Sequence, residues 1–126
     1  MRAYFQAHEE PVRLVVVFGS TARGTARADS DVDVGVLFRG DVSLRAELAL
    51  EARLERAAGK PVEIVRLDEA SEALRFRAAR DGAVVFADPP YERARFVARA
   101  AIEHDDTREL REEAMRRFSA RVIGGT

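Results

Sequence analysis

The chain contains no cysteine. That absence excludes disulfides, thiol catalysis and cysteine-based zinc sites. No apolar run approaches the roughly 20 residues a helix needs to cross a bilayer. The first residues, MRAYFQAHEEP, carry charges where a secretory leader would be apolar. A cytoplasmic location without membrane attachment is therefore expected. Neither sign of charge is in excess: the formal net charge is −1, too little for a bulk basic field, so direct nucleic-acid binding is not expected. Lys60 is the only lysine, and arginine takes its place throughout, a bias of composition rather than a functional signal. His8 and His104 have no second histidine at helical spacing and read as solvent or capping residues. What is present is 126 residues, enough for one domain and one core, expected over 1–126.

The pattern of apolar residues orders the chain. Residues 2–9 read as a short helix docking Tyr4 and Phe5, ended before Pro11. Val12 to Phe18 and Asp31 to Phe38 read as two strands. Ser43 caps a helix to Ala58, with Leu44, Leu48, Leu54 and Ala58 as its inward stripe, stopped by Gly59 and Pro61. Pro61 to Leu67 is a third strand, interrupted by Glu63 on the face shared with Val65. Asp68 is expected to cap a helix over Glu69 to Arg80, and Gly82 to Ala87 to form a fourth strand. After Asp88-Pro89-Pro90 the pattern is helical to about Val122, with Tyr91, Ala94, Ala98, Ala101 and Ile102 as one apolar stripe. Interleaved glutamates make the arginines of this tail an ion-paired, solvated face.

The chemistry concentrates between residues 12 and 38, VRLVVVFGSTARGTARADSDVDVGVLF. Residues two apart on a strand share a face, so Asp31 and Asp33 project together. Adjacent carboxylates repel unless a cation lies between them. An oxygen-only donor set beside a phosphate suits Mg²⁺. Gly19 allows a sharp turn and close backbone approach to a ligand. Ser20 offers a hydroxyl where a short helix could open, and free N–H groups at a helix start favour an anion. These are the parts needed to hold a nucleoside triphosphate with magnesium. Arg23 can reach the triphosphate or leaving pyrophosphate through its planar fork, with Arg27 and Arg39 weaker candidates. Ser30 can brace the loop by bonding to backbone.

Gly19-Ser20, a gap from Thr21 to Ser30, and Asp31-Val32-Asp33 resemble the signature of the DNA polymerase β-type nucleotidyltransferase superfamily. The finer forms Gly19-Ser20-Thr21-Ala22-Arg23-Gly24 and Ser30-Asp31-Val32-Asp33 resemble the minimal nucleotidyltransferase (MNT) antitoxins. The resemblance implies an α/β (α+β) nucleotidyltransferase fold. Its small mixed sheet of about four strands would be flanked by helices and followed by a long C-terminal helical segment. It implies a third carboxylate on a later strand beside the Asp-x-Asp strand. Glu63 stands at that place, where many minimal members carry Asp; Asp68 is the competing candidate.

By the same resemblance, Gly19 and Ser20 hold the β and γ phosphates, and Asp31, Asp33 and Glu63 bind two Mg²⁺ ions with ATP as co-substrate. AMP would pass to a tyrosine of a partner HEPN-type ribonuclease toxin. No second domain that could grip an acceptor is visible in the chain, which also points to a protein acceptor. Two other functions stay open: an antitoxin that neutralises by contact alone, with a weak or inactive site, and a transferase acting on a small molecule of aminoglycoside type.

Overall fold

The computed structural model describes residues 1–18 and 31–105. Its elements are α1 (Arg2–Ala7), β1 (Val12–Phe18), β2 (Val32–Phe38), α2 (Leu44–Ala58), β3 (Val62–Arg66), α3 (Glu72–Asp81) and β4 (Ala83–Ala87). A further helix, α4, is described over 91–105. The expected continuation of that helix to Val122, its break near Asp105 to Thr107 and the frayed terminus fall outside the described residues from 106 onward.

The strands form one mixed sheet in the order β3-β2-β1-β4. β1 pairs antiparallel with β2 and with β4, whereas β2 and β3 run parallel. β1 is flanked on both sides and covered on both faces. Leu14, Val15 and Val16 are almost fully buried, which explains the apolar run from Leu14 to Phe18. One face packs Val15, Val17, Val32, Val34 and Val36 against Phe5 of α1 and Leu50 and Leu54 of α2. The other packs Leu14, Val16 and Phe18 against Ala78 of α3 and Phe96 of α4. On this second face Gly35 leaves room for the buried Leu67, whose Cδ2 lies 2.8 Å from where a Cβ would stand.

Three helical expectations are corrected. The inward face of α2 is set by Leu50 and Leu54, while Leu44 and Leu48 are 65% and 51% exposed. The helix is rotated so that Glu47, Glu51 and Glu55 flank β3, which carries the first two turns of leucine outward. In α4, Phe96 and Ala100 face the sheet, and the stripe through Tyr91 and Ile102 faces solvent, each of these being 61% exposed. Glu92 follows Phe96 inward, only 3% exposed, because Arg13 (3.3 Å) and Arg95 (3.6 Å) compensate its charge.

The third correction concerns the start of α3. Asp68 does not cap it. The Leu67 N–H still donates to Val36 O, and residues 67–69 form a turn off the sheet edge. The helix starts only after that turn, where Ser71 Oγ accepts from the Leu74 N–H at 3.1 Å. Asp68 and Ser71 are both capping types, and pairing of the chain with β2 through Leu67 decides between them. Ser71→Ala is expected to cost about 1 kcal/mol of unfolding free energy and Asp68→Ala nearly nothing, measured by denaturant titration. The reverse ranking would restore Asp68 as the cap.

Candidate active site

β2 presents its side chains alternately. Val32, Val34 and Val36 enter the core against α1 and α2, so Asp33, Gly35 and Leu37 face the opposite side. β3 alternates likewise, with Val62 and Ile64 against α2 and Glu63 and Val65 on the other face. In the parallel register Asp33 stands directly opposite Glu63. The third acid and the Asp-x-Asp strand are thus brought side by side, as neighbouring residues on one face. Asp31 immediately precedes β2 and is exposed, as is Glu63, while Asp33 is half-buried. Strand alternation carried back through Val32 puts Asp31 on the side of Asp33.

The same end of the sheet receives β1. Its last residue, Phe18, pairs with Asp33. Gly19 is the next residue of the chain. Gly19, Ser20, Arg23, Arg27 and Ser30, the expected phosphate-binding and loop residues, lie outside the described residues.

Asp68 is removed as an alternative acid. β3 runs parallel to β2 with Arg66 opposite Val36, so Asp68 emerges at the far end of the sheet. The strand from Glu63 to Arg66 alone spans about 10 Å, and the turn that carries Asp68 follows it. Arg39 is at that far end too, bonding Val12 O and paired with Asp88 at 2.9 Å, a structural role. A cavity of about 300 Å³ lined by Arg13, Leu37, Leu67, Phe96 and Arg99 opens on the same face as the acids. It begins at Leu37, four residues or about 13 Å along β2 from Asp33. His8 caps α1 through its N–H to Tyr4 O, and His104 stacks on Phe76 with ring centroids 3.7 Å apart.

The donor set fits a hard divalent cation. It is all carboxylate oxygen, with no histidine or cysteine beside it. Among the described residues, no group of three or more histidine, cysteine, aspartate or glutamate side chains is gathered into a metal-holding cluster. Backbone register, rather than a gathered cluster of carboxylates, supplies the juxtaposition of Asp33 and Glu63. Sequence reading missed two further side chains at this strand, Glu51 and Glu55 of α2. The signal was the four-residue spacing of glutamates in the helix immediately before the strand.

Paired acids on adjacent parallel strands, at the end of a mixed four-stranded sheet, define the architecture of a nucleotidyltransferase fold. The profile of the family described as "Polymerase beta, Nucleotidyltransferase" matches residues 1–90. The chain belongs to that family. The protein adenylyltransferase MntA of Thermococcus cleftensis is 46% identical over 54 residues, covering 43% of this chain and 54% of that protein. The chain thus spans about half the length of the curated relative it matches. Among solved structures, a chain from a toxin–antitoxin crystal with AMP-PNP superposes with a TM-score of 0.71 at 21% identity, covering 94% of both chains. A chain from the complex of a tri-AMPylated Shewanella oneidensis HEPN toxin with its MNT antitoxin gives 0.64 at 18% identity, covering 95% of this chain and all of that one. These two share the fold.

Like charges facing each other across strands are destabilising, by an amount comparable to the 0.2–1 kcal/mol of a favourable pair. Asp33→Asn is expected to raise the stability of the metal-free protein by about that amount. Added Mg²⁺ should raise the melting temperature of the wild type and not of the variant, since binding to the folded state alone is stabilising. A variant less stable than wild type in chelator would show that the two carboxylates do not repel.

Proposed function

We propose that the chain is the adenylyltransferase antitoxin of a toxin–antitoxin pair, passing AMP from ATP to a tyrosine hydroxyl of a HEPN-domain partner. The observation that carries this reading is the register of Asp33 opposite Glu63, one residue pair from the point where the chain enters the Gly19-Ser20 segment. The relatives support the choice of nucleotide and acceptor: one is a protein adenylyltransferase, and one shares its crystal with an AMPylated toxin. One minimal domain over 1–126, acting in the cytoplasm, completes this reading. Among the described residues no helix is long and apolar enough to cross a membrane.

Asp31, Asp33 and Glu63 would hold two Mg²⁺ ions, which when bound neutralise the triphosphate and polarise its phosphoryl oxygens. Gly19 and Ser20 would hold the β and γ phosphates, Arg23 the departing pyrophosphate, and Ser30 would brace the segment that leads to β2. The tyrosine oxygen forms a bond to the α-phosphorus while the bond from that phosphorus to the bridging oxygen breaks, and pyrophosphate leaves. In this reading Glu63 would accept the tyrosine proton. Most of the acceleration comes from positioning and charge neutralisation, as in phosphoryl transfer generally.

A second reading is neutralisation by contact alone, with a weak or inactive site. It is favoured by the exposed apolar residues Tyr91, Val97 and Ile102 on α4. Incubation with ATP, Mg²⁺ and the partner protein separates the two. The first gives a mass gain of one or more AMP units on the partner, the second a tight complex of unchanged mass. Asp33→Ala is expected to lower transfer by a factor of at least about 10²–10³ with an unchanged circular dichroism spectrum. Transfer retained in that variant would reject the enzyme reading.

A further inference from the structure

β3 lies at the edge of the sheet. One set of its N–H groups serves the ladder to β2 and the alternate set points outward, where an edge strand is open to solvent or to a foreign strand. Here two of the outward N–H groups are taken by a helix. The Val62 N–H donates to Glu55 Oε1 at 3.0 Å, and the Ile64 N–H donates to Glu51 Oε1 at 2.9 Å. One step further, the Arg66 guanidinium donates to Glu47 Oε1 at 2.6 Å, which with nearby acids holds the arginine pKa above its ordinary value.

The spacing is what makes this ladder possible. The glutamates are four residues apart on α2, and their targets are two residues apart on β3. Four helical residues rise about 6 Å, and two strand residues span about 6.6 Å. Helix and strand therefore stay in step, with positions 55, 51 and 47 meeting 62, 64 and 66 in opposite chain directions. Three like charges at four-residue spacing weaken an isolated helix. In this fold each carboxylate has a donor, and bonds to a charged acceptor are stronger than neutral ones.

Glu63 sits between the two gripped amides, and its side chain leaves the opposite face of the sheet. We infer that Glu51 and Glu55 are positioning residues for Glu63: by holding the backbone on both sides of it, they keep its carboxylate level with Asp33 when a cation binds. This rests on the reading of Glu63 as an acid of the metal site. Neither glutamate touches the ion; both act through the strand, in the manner of outer groups that orient metal ligands.

The test uses the full chain with Mn²⁺ alone as the probe, titrated by electron paramagnetic resonance. Amide hydrogen exchange is followed in parallel at Val62 and Ile64. Glu51→Ala should speed exchange at Ile64, and Glu55→Ala at Val62. Each should weaken Mn²⁺ binding about 10-fold, the lower end of the range for outer-shell groups. Glu51→Gln retains a carbonyl acceptor and should keep both exchange and affinity close to wild type. If Glu51→Ala does not fold, Glu55→Ala reads the same effect from the other side of Glu63. Unchanged exchange at both amides would show that the bonds do not hold the strand. Faster exchange with wild-type Mn²⁺ affinity would reduce the ladder to shielding of the edge. Glu63→Ala is the control. If it binds Mn²⁺ like the wild type, the metal-site reading has failed and the positioning role falls with it, whereas the exchange data still report on the ladder itself.

Discussion

Asp33 and Glu63 stand opposite one another in the register of two parallel strands, and the rest of the architecture can be understood from what that arrangement demands. Two like charges side by side favour slippage or splaying of the strands. A one-residue slip would also move Glu63 to the opposite face. The register is held because the other faces of the same strands are deeply buried: Val32, Val34 and Val62 pack in one cluster with Leu50 and Leu54. The apolar alternation that makes β2 and β3 stable in the sheet is therefore what points the two acids to the same side.

The edge position of β3 adds a second demand. A strand at the rim of a sheet has backbone donors on one side that the ladder does not use. Covering them from α2 ties the helix to the strand through directed bonds as well as through apolar contact. It also explains a rotation of the helix that leaves Leu44 and Leu48 in solvent. On the opposite face, Gly35 admits the buried Leu67 across β2, two residues along the strand from Asp33. The paired acids and the core packing thus share one sheet face, separated along the strand direction.

Much of this was legible in the chain. The apolar runs of β1 and β2, the break at Gly19-Ser20 and the Asp-x-Asp spacing are signals carried by neighbouring residues, and they led to the correct family and to a mixed sheet of four strands. The place of Glu63 on the face of Val65 also followed from simple alternation. What failed was the choice among equivalent local signals. Leu44, Leu48, Leu50 and Leu54 admit more than one inward stripe, and the selection is made by the glutamate ladder to a strand later in the sequence. In α4 both helix faces carry apolar residues, and Phe96 wins the inward position with the Arg13–Glu92 pair beside it. Asp68 and Ser71 are comparable caps, decided by how far pairing to β2 continues. Each of these depends on contacts between distant segments, which periodicity alone does not contain.

The central claim is that the face shared by Asp33 and Glu63 is a divalent-cation site. Anomalous diffraction from a crystal of the protein soaked in Mn²⁺ and a non-hydrolysable ATP analogue tests it most directly. The account predicts a manganese peak within coordination distance of both carboxylates. A peak bound elsewhere with these two side chains apart, or none at all with the nucleotide in place, would contradict it.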